Sequence, residues 1–509
     1  MISLLDVLHS KGLCLALVAV LGWILICLKR LFFSPLRNVP GPVYAKVTHL
    51  WLKKQVLSGR RLHYIHDLHK KYGPIVQIGP NEIDVSDPQM FKDVHRIGGG
   101  FLKDPWYQSF RQGDFHDVFS MIDPKEHAER RRLFAPLWTN SALHKNWEPA
   151  VIEKVKLAVA NIRRDALTGE ADVFKWWTFM TTDVISHLSF GESLDILKQQ
   201  SRNRYIDDVE QAAKLGGIFS ELPFLRYVVK FVPLRSVQDA IGADHRVSQY
   251  GHVAVVNAKS RSLSKENVFS KILAESEKDG STMSEAEVAF EASGFIVAGS
   301  GTTAVSLTYL VWAALSHPDV QSTLETEVAK LPPDADDSLL QELPFLNAVV
   351  DETLRLYGAA PGSLPRTCPP GGFQLGGHFI PEGTTVSSQA YTLHRNEDVY
   401  HNAEKFNPSR FLDANGNFVP AKSAYAPFGA GSRTCLGVHL ARMELRHGAV
   451  EFFRECRGAR LAASMRPQDM DMLNFFLISP KGFVPITESR LWLLYTTKFT
   501  GSYVKDKDL

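Results

Sequence analysis

Residues 427–437 read PFGAGSRTCLG and place three glycines, an arginine and one thiol, Cys435, within eleven positions. The sequence that follows, VHLARMELRHGAVEFF from Val438, has helical periodicity, so the thiol stands at the mouth of a helix. Backbone N–H groups and the positive end of the helix dipole face it there, and both favour a thiolate. Gly429, Gly431 and Gly437 supply the left-handed turns and close backbone approach that a flat, bulky group needs. Arg433, two residues before the thiol, is placed to reach a carboxylate on the rim of such a group. These residues suit a sulfur bound axially to haem iron. They equally suit a structural cysteine in a glycine-rich turn.

The chain around this stretch has 509 residues, 45% of them hydrophobic, enough for a large core. Its 57 basic and 55 acidic side chains nearly cancel, which leaves no global footprint for nucleic acid. The five cysteines, Cys14, Cys27, Cys368, Cys435 and Cys456, are odd in number and lack CxxC spacing. That argues against a disulfide framework and a zinc site and suggests reduced thiols. No Asn-x-Ser/Thr sequon with a permissive middle residue occurs.

Residues 12–28, GLCLALVAVLGWILICL, carry no charge and are followed at once by Lys29 and Arg30. The length just spans a bilayer, and no small-residue cleavage site precedes the basic pair, which predicts a single uncleaved transmembrane anchor over 1–28. The flanking positive charge places the rest of the chain in the cytosol. Pro35, Pro40 and Pro42 stiffen a hinge over 29–42, one body runs from 43 to 489, and a tail of unassigned role fills 490–509. Helical patterns dominate that body, around 124–138, 147–165, 205–216, 284–316, 338–357 and 437–455. Strand patterns are short, at 74–79 and 82–86, so the fold expected is mainly α with a small β subdomain.

Phe428, Gly431, Arg433, Cys435 and Gly437 fit the pattern FxxGxRxCxG, and on that pattern the chain resembles the cytochrome P-450 monooxygenases. ETLR at 352–355 is similar to the family's ExxR, and FNPSRF at 406–411 to its PxRF segment. The resemblance covers about 40–490 and implies a haem b with Cys435 as its axial thiolate, cradled by Phe428, Arg433 and Gly437. It implies a structural ion network of Glu352, Arg355 and Arg410. In DPKEHAERRRLFAPLWT, 123–139, His127 and Arg131 share a helix face and are expected at a propionate, as is Arg366 of LPRTCPP. FIVAGSGTTA, 295–304, is similar to the family's helix over the oxygen side and matches it at Ala298, Gly299, Thr302 and Thr303. Thr302 is then expected to relay protons to bound dioxygen. Gly301 occupies the position where the family carries an acid, which leaves the proton source open. Each of the two glycines costs about 1 kcal/mol inside a helix, which predicts a local opening there.

By the same resemblance the chain inserts oxygen from O2 into a lipophilic small molecule, hydroxylating or epoxidising it. Expected substrate walls are 101–119, Phe295 with Ala298, 359–365 and 473–477, all largely apolar. No FMN motif or GxGxxG fingerprint is present, so electrons come from NADPH through a separate NADPH–cytochrome reductase. Lys125, Arg130, Arg132, Arg442 and Arg446 are candidates for steering that acidic partner. The setting implied is the endoplasmic-reticulum membrane with the catalytic domain in the cytosol, and 219–234 is a candidate for lying in the interface. The AGSGTT form is most like fungal members that tailor terpenoids or polyketides in secondary metabolism. Two alternatives stand beside this: the same haem used for desaturation, dehydration or rearrangement, and a haem-binding protein without turnover.

Overall fold

The computed structural model describes residues 4–111, 113, 115–260, 267–270, 272, 283–421, 423–482 and 484–487, and the 490–509 tail lies outside them. Two compact units emerge, Met1–Asp104 with Ser363–Leu393, and Pro105–Gly362 with His394–Leu509.

In the first unit, the helix Leu4–Phe33 contains an apolar stretch, 13–33, none of which is buried. Arg30 closes its end by donating from Nη1 to the Val47 carbonyl at 2.5 Å. A five-stranded sheet carries the core, in the order Ile75–Gly79, Glu82–Val85, Thr385–Ser387, Arg366–Thr367, Leu102–Lys103. Only the Glu82–Val85 and Thr385–Ser387 pair is parallel, as expected for strands joined by a long excursion of the chain. Ile75, Ile83, Val85 and Val386 fill one side of it.

The second unit is helical. Its principal helices are Pro124–Phe134, Glu148–Thr168, Val173–Phe190, Arg204–Glu221, Arg235–Ser260, Glu285–Leu315, Pro344–Tyr357 and Val438–Glu455. Small sheets sit beside them, Met472–Asn474 with Ile478–Pro480, and Ala171–Asp172 with Pro485–Thr487 and Arg460–Leu461. The mainly α fold with a small β part is the one the sequence predicts. Two helical patterns divide: 124–138 ends in a 3₁₀ turn at Ala135–Trp138, and 338–357 restarts at Pro344, whose ring cannot continue a helix. Val173–Phe190 carried no readable period because nearly every side chain on it is buried.

The helix Glu285–Leu315 is the axis of this unit. A capping box of Ser284 and Glu287 starts it, and beyond Thr303 nearly all of its side chains are buried. It continues as α-helix through Gly299 and Gly301, so the predicted local opening does not occur. Packing accounts for the first glycine: a Cβ at Gly299 would lie 2.6 Å from Ile185 Cγ1. At Gly301 the space is open, with Leu477 Cδ1 the nearest atom at 4.0 Å. Where this helix meets Val438–Glu455, a Cβ on Gly448 would lie 2.7 Å from Leu307 Cδ2, so the leucine side chain fills the space a larger residue would need.

Candidate active site

Gly429 and Gly431 adopt φ of 73° and 67°, which lets the loop before Cys435 turn tightly into the 3₁₀ turn Gly431–Arg433. Gly437, at φ −80°, needs no such freedom; it caps Val438–Glu455, and its N–H donates to the Cys435 sulfur. The Cys435 N–H donates to Phe428 O at 2.9 Å, which ties the two ends of the loop together. Burial pushes the thiol above its ordinary value, outweighing the Gly437 N–H and the charge of Arg131 that favour the thiolate. Cys435 is accessible to solvent at the mouth of the helix Val438–Glu455.

The helix Pro124–Phe134 starts at Asp123, whose carboxylate accepts from the N–H groups of Lys125 and Glu126. Arg131 Nη1 donates to Thr434 O at 2.8 Å, and Arg433 donates back to Met121 O at 2.8 Å and Ile122 O at 3.0 Å. The two guanidiniums thus lace this segment to the cysteine loop. Each carries five donors, so these carbonyl bonds are compatible with a carboxylate as a further acceptor. His127 is buried on the same helix. Arg366 belongs to the first unit, where burial of the His95 imidazole, helped by the Arg366 charge, holds it down at about 3.

Glu352, Arg355 and Arg410 are brought together. Arg355 donates to both Glu352 oxygens at 2.7 and 2.8 Å, and Arg410 Nε adds a third bond at 3.0 Å. Arg355 further donates to the carbonyls of His394, Ala403 and Lys405. His394 escaped the sequence reading. Its Nδ1 donates to Arg355 O at 2.7 Å and its Nε2 accepts the Ala426 N–H at 2.9 Å, joining the ion network to the base of the cysteine loop. Those two bonds fix a neutral tautomer, and burial pushes its pKa down to about 3.

The open face of Glu285–Leu315 is made by Ala298, Gly301 and Thr302, which follow one another at helical spacing. Thr302 Oγ1 donates to Ala298 O at 2.8 Å. Phe295, expected as a substrate wall, is instead covered by Phe134 and stacked on Trp138. Phe110, Phe119 and Phe476 form a triangle of edge-on rings 4.7 to 5.7 Å apart. The helix Arg204–Glu221 rests directly on this group: a Cβ at Gly216 would reach Phe110 Cε1 at 2.7 Å, and one at Gly217 would run into the Phe475 carbonyl. Val118 N–H donates to the Glu291 carboxylate, fastening the 117–119 segment to Glu285–Leu315. Burial, with Asp117 nearby, pushes Glu291 up to about 8. A single acid on a buried stripe was the only sign of it in the sequence.

The steering cations need correction. Arg130 pairs with Glu291 and Glu287, Arg442 with Asp351, and Arg446 with Asp337, because each lies against a buried carboxylate. Lys125 and Arg132 remain on the surface.

The donor set fits a haem: one accessible sulfur with an N–H donor, a glycine-built loop around it, and arginines at its edge. A family model for cytochrome P-450 matches residues 39–485. Cytochrome P-450 monooxygenase stcB of Emericella nidulans is 40% identical over 457 residues, 88% of this chain and 87% of its own. Cytochrome P-450 monooxygenase cypX of Dothistroma septosporum is 38% identical over 477 residues, 91% and 93% of the two chains. Cytochrome P-450 monooxygenase tazI of Aspergillus terreus is 40% identical over 478 residues, 91% and 96%. The chain belongs to the cytochrome P-450 family of haem-thiolate monooxygenases.

Proposed function

We propose that this chain oxidises a lipophilic terpenoid or polyketide of fungal secondary metabolism, with Cys435 as the axial thiolate and Thr302 on the oxygen side. The carrying observation is the Cys435 loop, where an accessible sulfur receives the Gly437 N–H. When bound, the haem supplies oxygen activation and C–H or C=C oxidation. The chain's own residues hold and orient. Gly437 N–H tempers the charge on the sulfur, Phe428 and Arg433 fix the loop, and His127 and Arg131 stand for a propionate. Phe119, Phe476, Leu477 and the Ala298 face select an apolar substrate and exclude water. Electrons reach the site from NADPH through a separate reductase.

The unburied apolar stretch 13–33 supports a single-pass anchor in the endoplasmic-reticulum membrane with the rest of the chain in the cytosol. Exposed Phe224, Tyr227, Phe231 and Leu234 support a second contact with the interface.

The test is expression with a reductase, product profiling by mass spectrometry over terpenoids and polyketides, and 18-oxygen labelling. Incorporation of one labelled atom per NADPH consumed is the expected result. The bare Gly301 favours a second reading, redox-neutral rearrangement, which a product formed without label or NADPH use would establish.

A further inference from the structure

The helix Val173–Phe190 begins beside a cleft of about 420 Å³ in the second unit. Phe174, Lys175 and Phe179 on the first two turns line it, with Arg202 and Glu210 and with Lys481 just past the strand Ile478–Pro480. None of the residues assigned to the haem or to the substrate walls lines it. The size is that of a small-molecule pocket, about 300–1,000 Å³.

The floor is apolar and fixed. Phe179 is 1% exposed and meets the Trp176 ring edge-on at 5.5 Å. Three cations and two acids border the cleft, which leaves it net positive. Arg202 is already spent, donating to Asp207 at 2.5 Å and to Glu210 at 2.6 Å. Asp172 accepts the N–H groups of Phe174 and Lys175 that open the helix, so the helix start has little left to offer an anion. Lys175 and Lys481 are different. The half-buried Lys175 holds its ammonium 4.3 Å from the Trp176 ring and 5.8 Å from that of Phe179, above the floor. Lys481 is exposed on the rim, and the acid that acts on it, Asp469, is engaged by the backbone and guanidinium of Arg466. Among the described residues neither ammonium has a carboxylate within ion-pair distance.

An apolar floor beneath two uncommitted ammoniums sorts its ligands. A neutral lipophile leaves the ammoniums unused, and a small inorganic anion leaves the phenyl rings wet. We propose that this cleft is a second ligand site, which takes a carboxylate carried on an apolar chain or ring. The apolar body rests on Phe174 and Phe179, and the acid group pairs with Lys175 and Lys481. The ligand then lies on the helix that braces the oxygen side, where Thr181 donates to Ser300 O and Ile185 fills the space beside Gly299.

The probe is decanoate bearing a diazirine near its apolar end, photolysed with the haem-loaded full chain in the absence of NADPH and located by peptide mapping. Label is expected within 174–179 or 481–482, and unlabelled decanoate displaces it at a concentration about fivefold or more below that needed of decanol. Lys175→Met with Lys481→Met keeps the apolar stems and removes the charge. This pair is expected to weaken labelling there about fivefold or more and to keep the thiolate-type carbon-monoxide spectrum. Phe174→Glu, which puts an acid on the floor, is expected to do the same. Label confined to the substrate walls overturns the proposal, as does undiminished labelling of the methionine pair. Equal displacement by decanol and decanoate overturns it too, because the cleft is then merely greasy. If the methionine pair fails to take up haem, the comparison of decanol with decanoate on the wild type decides.

Discussion

Arg355→Lys is the sharpest probe of the ion network, because it keeps the charge and removes only the shape. The guanidinium is 1% exposed and makes two bonds to Glu352 and three to the carbonyls of His394, Ala403 and Lys405. An ammonium has three donors radiating from one nitrogen and cannot bridge a carboxylate and three carbonyls together. At least two acceptors lose their partner. At about 1–3 kcal/mol for each buried group left unpaired, two such groups cost about 2–6 kcal/mol, with a midpoint of about 4 kcal/mol. Arg410 touches the same carboxylate through one bond, and its other donors reach carbonyls near the surface. Water can replace those, so Arg410→Lys costs about 1 kcal/mol. The two variants are compared with wild type by urea unfolding, followed through tryptophan fluorescence and the thiolate-type carbon-monoxide absorption. A gap of about 2 kcal/mol or more is expected, roughly thirtyfold in the unfolding equilibrium. Equal losses within about 0.5 kcal/mol would refute the claim that the fork geometry of Arg355, rather than its charge, holds this region.

Cys435→Ala is expected to abolish the thiolate-type absorption of the reduced carbon-monoxide complex, whereas Cys368→Ala and Cys456→Ala keep it; a normal spectrum from Cys435→Ala removes the ligand assignment. Deleting residues 1–34 is expected to release much of the protein from membranes, with residual attachment through 224–234 that alkaline carbonate strips; a carbonate-resistant fraction of wild-type size points to another spanning segment. Acid lowers stability in two steps. His394 has a folded pKa of about 3, below the unfolded value near 6.5, so the unfolded chain takes up a proton that the folded chain refuses. Its stabilisation is complete above about 6.5 and falls by about 1.4 kcal/mol per pH unit as the pH drops toward 3. Burial opposes charge on Glu148, yet its bonds from His447 and the Asp337 N–H prevail and hold it at about 2, so its contribution is present above about 4.5 and lost as pH falls toward 2. Denaturant midpoints between pH 7 and 5 measure the first step, and His394→Asn is expected to flatten it; an unchanged slope in that variant refutes the assignment.

The features legible in the sequence were those fixed by local spacing. The cysteine loop, the Glu352–Arg355 pair three apart on one helix and the open face of Glu285–Leu315 all follow from residues close in the chain. What stayed hidden depends on partners far along it. Arg130, Arg442 and Arg446 look like surface cations until Glu291, Asp351 and Asp337 are folded against them. His394 looks like a loop histidine until Arg355 O and the Ala426 N–H close on its two nitrogens. Glu444 sits in an ordinary amphipathic pattern, and only the crossing with Thr303 and Leu307 shows that its carboxyl faces another helix instead of water. The helix cost of the glycine at 299 is visible in sequence and points to a local opening, whereas the Ile185 side chain that claims its space is not visible there.

The paired glycines 216 and 217 bear on attempts to re-engineer this enzyme. A side chain at either position would strike Phe110 or the Phe475 carbonyl, so randomising them yields mostly damaged scaffolds. Library diversity is better placed at Phe119, Phe476 and Leu477, whose rings and branches are half-open and rest on a support those glycines hold still. Under selection for a new substrate, winning variants should accumulate at these three positions while 216 and 217 stay glycine.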